Sequence, residues 1–201
     1  MPELVEKGHL YIAQPPLYKV SKGKSETYLK DQRAFEDYLV DAGLEEASLV
    51  LGSGEMRAHR DLRDIVGQAR HVTRVIEDLH SRYKRFVVEQ AAIAEQANAK
   101  AAAIAARLDA ISEETERGWS GMLGNEGYVF RRLVRGVTEV HTLDRALIGS
   151  LEARRLNERP PHLEEVYALP AKLKRKDSET PVYGPRSLLD AIYEVGRKGI
   201  A

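Results

Sequence analysis

The chain has 201 residues, 43% of them hydrophobic, so it can bury one sizeable core or two small ones and is not a disordered tail. Its 31 basic residues balance 31 acidic ones, so no global field draws it onto nucleic acid or an anionic membrane, and any such binding must come from local patches. The absence of cysteine excludes a disulfide framework and thiolate metal sites. No apolar run approaches membrane-spanning length and Met1-Pro2-Glu3 begins no signal peptide, so the expectation is a cytoplasmic chain with no membrane partner.

The first predicted element is a strand over His9–Gln14, stopped at Pro15-Pro16 by two fixed φ angles and two missing N–H groups. Leu17–Val20 and Thr27–Leu29 flank Ser21-Lys22-Gly23-Lys24 and read as a β-hairpin with lysines at its tip. Asp31 can cap a helix whose apolar positions Phe35, Tyr38, Leu39 and Ala42 recur at three and four, with Gly43 placed as its C′ glycine. Ala47–Leu51 looks like another short strand, closed by Gly52-Ser53-Gly54.

From Arg57 to Gly118 there is no proline, and Gly67 is the only glycine before Gly118. Leu62, Ala69, Ile76 and Tyr83 fall seven apart, as do Ile65, Val72, Leu79 and Phe86. Such spacing suits either a coiled-coil arm or an amphipathic helix packed on its own domain; the alanine and two aromatics in the seam favour the second. Beyond Phe86 the stripe continues through Ile93, Ala97, Ala101, Ile104, Leu108 and Ile111, with a break near Glu95–Asn98, so two or three consecutive helices are expected. Trp119–Gly127 is glycine-rich. Tyr128–Val134 and Val137–Thr142, joined at Arg135-Gly136, read as a second hairpin. Asp144–Asn157 is moderately helical, Arg159-Pro160-Pro161 punctuates it, and a short helix follows around Leu163–Ala168. Lys172 to Pro185 reads as a loop or edge strand, and a last helix opens at Pro185 and closes at Gly199. The fold class is therefore mixed α+β.

The six histidines show no H-x-x-x-H or H-E-x-x-H spacing, and no nucleophile elbow, phosphate loop or dinucleotide fingerprint occurs. Neither catalytic nor metal-binding residues are assigned. Two basic clusters remain. Lys19, Lys22 and Lys24, with Tyr18 beside them, either place ammonium groups on successive phosphates or merely keep a hairpin soluble. Lys172–Lys176 is denser but is followed by Asp177 and Glu179, which favours a solvated loop over a phosphate contact.

The stretch "GHLYIAQPPLYKV", continued by "KGKSETYLKD", resembles the end of the Toprim domain in the B subunits of bacterial DNA gyrase, a type IIA topoisomerase family. "MPELVEKG" is similar to the end of the helix that follows that family's D-x-D-x-D-G segment, and "SLLDAIYEVGRKGI" to the helix before its Q-R-Y-K-G-L-G-E-M segment. Residues between about Gly54 and Pro185 resemble the long insertion of many Gram-negative gyrase B subunits. Topoisomerase IV B subunits, the nearest alternative, lack such an insertion and usually carry alanine-leucine where this chain has Ala13-Gln14. The resemblance implies residues 1–54 as the C-terminal part of a Toprim α/β sheet and 55–184 as an insertion, with helices at 57–118, a β-hairpin at 128–142, and helices and loop at 144–184. Residues 185–201 then form a return helix.

It further implies a segment of an enzyme that passes one DNA duplex through another with ATP and Mg2+, partnered by the gyrase A subunit in an A2B2 heterotetramer. The metal acids, nucleotide site and transesterifying tyrosine are expected outside these residues, so no cofactor is expected within them. The candidate DNA-binding residues are Gln14, Tyr18, Lys19, Lys22 and Lys24. The competing expectation is a free-standing helical interaction protein using the heptad seam.

Overall fold

In a computed structural model the described residues are 2–8, 13–96, 101–157, 163–176 and 178–200. Most of the strand expected over His9–Gln14 lies outside them, and Ala13 and Gln14 carry no regular structure. The described residues form helices and antiparallel sheets, a mixed α+β fold. Contacts divide the chain into two units, Met1–Glu45 with Ile192–Ala201, and Glu46–Ala191.

The first unit contains α1 (Pro2–Glu6), β1 (Tyr18–Lys22), β2 (Ser25–Leu29), α2 (Gln32–Leu44) and the end of α9 (Pro185–Arg197). Strands β1 and β2 pair antiparallel from Tyr18↔Leu29 to Lys22↔Ser25. The loop is therefore two residues, tighter than the four expected, and Gly23 at φ +63° supplies the left-handed conformation it needs. Ile200 makes an antiparallel bridge to Lys22. Asp31 caps α2 as predicted, its Oδ1 accepting the Ala34 N–H at 2.8 Å.

Gly43 is not a C′ glycine. It lies inside α2 and is buried, and a Cβ there would sit 2.3 Å from the Ile192 carbonyl oxygen. Gly196 of α9 meets the Leu39 carbonyl oxygen in the same way, at 2.3 Å. The two helices thus cross antiparallel at reciprocal glycines, and hydrogen alone fits between them. Leu39, Val40, Ile192 and Val195 complete this core, with Val20 the one buried residue of the hairpin.

The second unit holds a four-stranded antiparallel sheet in the order β4-β3-β8-β9: β3 Ala47–Val50, β4 Met56–Ala58, β8 Ala171–Arg175 and β9 Ser178–Val182. Of the stretch expected as a loop or edge strand, Lys172–Arg175 is therefore an internal strand and Ser178–Val182 the edge strand. Helix α3 (His59–Glu77) buries Leu62, Ile65, Ala69, Val72 and Ile76 within the unit, so the heptad rows line its own core and present no coiled-coil seam. The chain leaves the helix at Asp78 and re-enters at α4 (Arg85–Gln96), a break the periodicity did not reveal; there His80 turns its Nδ1 onto the Arg82 N–H at 3.2 Å. Of the predicted break near Glu95–Asn98, Glu95 and Gln96 are the last residues of α4, while Ala97 and Asn98 lie outside the described residues; α5 (Ala101–Ile111) follows.

The glycine-rich stretch forms a strand, β5 (Ser120–Gly124), paired to β6 (Gly127–Val134), which pairs in turn with β7 (Val137–Asp144) around the predicted Arg135-Gly136 turn. A Cβ at Gly121 would lie 2.4 Å from the Ala101 carbonyl oxygen, so glycine permits the sheet to approach α5. Fully buried Phe130 and buried Trp119 join that packing. The short helices α6 (Arg145–Ile148), α7 (Leu151–Asn157) and α8 (Leu163–Tyr167) follow; the predicted Arg159-Pro160-Pro161 punctuation lies outside the described residues.

Candidate nucleic-acid interface

The β1–β2 hairpin presents the predicted residues unequally, because side chains alternate across a strand. Tyr18, Val20 and Lys22 point to one face, and Lys19 to the other. Tyr18 is half-buried: its ring stacks on Phe35 with centroids 4.9 Å apart, and its hydroxyl donates to Gln32 Oε1 at 2.5 Å. It anchors the hairpin to α2. Lys19 Nζ lies 2.7 Å from Glu26 Oε1, a diagonal cross-strand neighbour, and 5.9 Å from the Tyr28 ring centroid. Lys22 stands 3.8 Å from Glu45, at the outer limit of an ion pair. Lys24, in the turn, is exposed and makes no ion pair among the described residues. Gln14 is exposed and belongs to no element. The structure thus brings Lys22 and Lys24 together at the tip and gives Lys19 a local counter-ion. An exposed pair of that kind contributes little stability, about 0 to 1 kcal/mol, and a phosphate can compete for it.

The second basic cluster is in a different electrostatic state. Lys172 and Lys174 reach the two oxygens of Glu179 at 3.2 and 2.7 Å, and Lys176 lies 3.1 Å from Glu46. Hydrogen bonds from Lys174 and Lys172 hold the Glu179 carboxyl below the ordinary carboxylate range.

Sequence reasoning missed a buried polar cluster in the second unit. Glu89 and Gln90, adjacent on α4, are 8% and 2% exposed. Glu89 Oε1 accepts the backbone N–H of Arg186, in the first turn of α9, at 2.8 Å. Gln90 donates to the Tyr183 carbonyl and accepts from Arg107 Nε at 3.2 Å. The Arg107 guanidinium also donates to the carbonyls of Ala168 and Tyr167, at 2.7 and 2.6 Å. Burial raises the Glu89 carboxyl to about 7, opposed by the Arg186 N–H and the Arg186 charge. The one signal in the sequence was an adjacent Glu-Gln pair within the otherwise apolar run "FVVEQAAIA".

Among the described residues no group of three or more His, Asp or Glu side chains is arranged to hold a metal, and no helix is long and apolar enough to cross a membrane.

Residues 16–44, which carry the hairpin and α2, match the family model described as "GyrB, hook". Over its whole length the chain is 46% identical to the DNA gyrase B subunit of Caulobacter vibrioides (204 aligned residues) and 31% identical to the DNA gyrase B subunit of Rickettsia bellii (211 aligned residues). It covers 25% and 26% of those two proteins, so it spans about a quarter of the length of the curated relatives it matches. From the hairpin through the helices and sheets that follow it, the chain belongs to the family of DNA gyrase B subunits.

Proposed function

We propose that this chain acts as part of a gyrase B subunit in the ATP-dependent negative supercoiling of duplex DNA, with Lys22 and Lys24 making sequence-independent phosphate contacts. The observation that carries this reading is the match of residues 16–44 to the hook family, joined to similarity over the whole chain. In this reading residues 1–54 complete a Toprim sheet, and the enzyme works in the cytoplasm as an A2B2 assembly with the gyrase A subunit. Gln14 and Lys19 are further DNA contacts, while Tyr18 acts through the position it gives β1. ATP and Mg2+ serve groups elsewhere in the enzyme. In the same reading these residues supply scaffold and backbone contacts rather than a chemical step. Ammonium groups on an exposed tip neutralise phosphates without reading base edges, which fits an enzyme that must act on many sequences.

The test is a chimera in which this chain replaces the aligned quarter of the Caulobacter B subunit. It is assayed on relaxed plasmid together with the Caulobacter A subunit. Negative supercoils that require ATP are expected. A chimera that folds and hydrolyses ATP but supercoils nothing would contradict the proposal.

A further inference from the structure

A cleft of about 440 Å3 opens in the second unit between the end of α3, the Asp78–Lys84 connection, the start of α4 and the first turn of α9. Ile76, Tyr83 and Phe86 give it apolar and aromatic lining. Two polar groups line it as well. Glu89 is 8% exposed, and its Oε1 accepts the Arg186 N–H. The Thr73 hydroxyl oxygen is buried and lacks a partner among the described residues. Buried polar groups are ordinarily satisfied, and an ionisable one kept at the wall of a cleft marks a site for a ligand.

Of the three cations that line the cleft, Arg186 is ion-paired. Arg186 pairs with Glu77 at 2.6 Å and Asp190 at 3.4 Å, and Arg85 donates to the Glu77 carbonyl at 3.3 Å. Lys84 lies at the lining and Arg107 acts on Glu89 only through its charge. The cleft offers an incoming molecule a carboxylate and a hydroxyl beside aromatic surface, with the Lys84 and Arg85 charges also at its lining. A carboxylate is matched best by adjacent N–H donors held in one plane.

We infer that this cleft binds small molecules presenting adjacent N–H donors on an apolar ring, such as amidines or 2-amino heterocycles, with Glu89 Oε2 as acceptor and the Thr73 hydroxyl as a second polar contact. A cation of this class binds the ionised carboxylate. Burial holds the Glu89 proton until about pH 7, so binding releases a proton and strengthens as pH rises through that value.

Benzamidine is a suitable probe and benzoate its charge-reversed control, each titrated into the chain while α4 amide resonances and thermal unfolding are followed. Saturable benzamidine binding is expected, tighter at about pH 8 than at about pH 6 and weakened roughly tenfold or more in Glu89→Gln. Glu89→Gln keeps an acceptor for the Arg186 N–H, and its own unfolding curve establishes that it is folded. Benzoate should not bind. Failure of benzamidine to bind, equal binding by Glu89→Gln, or preferential binding of benzoate would each overturn the inference.

Discussion

The Lys22-Gly23-Lys24 tip and the Lys172–Lys176 run look alike in sequence and fold into opposite electrostatic situations. In β8, Lys174 stands directly across from Glu179 and Lys172 diagonally across from it, so strand register supplies one carboxylate to two ammonium groups. At the hairpin tip the ladder has ended. Lys24 has no cross-strand neighbour, and Lys22 has a carboxylate only at 3.8 Å. Counter-ions thus separate the two clusters: Glu179 is shared by Lys172 and Lys174, while Lys24 makes no ion pair among the described residues.

The largest expected effect comes from breaking the platform under the tip. Gly43→Ala puts a methyl group 2.3 Å from a backbone oxygen, which no rotamer change can relieve. Stability of the first unit should fall by about 3 kcal/mol. Hydrogen exchange should then accelerate in β1 and β2 and stay unchanged in β8 and β9.

Glu89→Gln perturbs only the unit that holds β8 and should leave the tip untouched. The folded Glu89 titrates near 7 against an ordinary 4.5, so the folded state binds its proton more tightly than the unfolded state does. Its contribution to stability is therefore full below about 4.5, declines as pH rises towards 7 and stays low above it. The glutamine variant should remove this decline and exceed the parent by about 2 to 3 kcal/mol at alkaline pH, with little difference in acid. Urea unfolding at both pH extremes measures it.

The smallest effects separate the two clusters directly. Glu179→Gln leaves Lys172 and Lys174 without their shared carboxylate, and should slightly lower the unfolding temperature at low salt and not at high salt. Lys24→Ala should shift it at neither. Thermal scans over a salt series distinguish the outcomes.

Much of the first unit was legible because its signals are local. Asp31 before an apolar three-four repeat, and Lys22-Gly23-Lys24 between two β-rich runs, each specify their geometry within a few residues. Gly43 was misread for the complementary reason: a glycine near a helix end looks like a terminator, and its true partner, Ile192, is distant in sequence. The same holds for β5, where Gly121 serves contact with Ala101 and Phe130, and for Glu89, whose partner is the backbone of Arg186. The heptad rows gave the buried face of α3 correctly, but spacing alone could not show that the helix ends at Glu77. For the candidate interface, sequence supplied the residues while register separated them into an anchor, a paired lysine and an open tip.

We propose that the tip, and not the β8 cluster, meets the DNA backbone. The most direct test is DNA affinity against salt for gyrase whose B subunit carries Lys22→Ala with Lys24→Ala, beside the same enzyme carrying Lys172→Ala with Lys174→Ala. The tip variant should weaken binding about equally across sequences and flatten the log–log slope by up to roughly two units, close to one for each phosphate no longer neutralised. The β8 variant should keep the parental slope. An unchanged slope in the tip variant, or an equal flattening in the β8 variant, would rule out phosphate contacts peculiar to the tip.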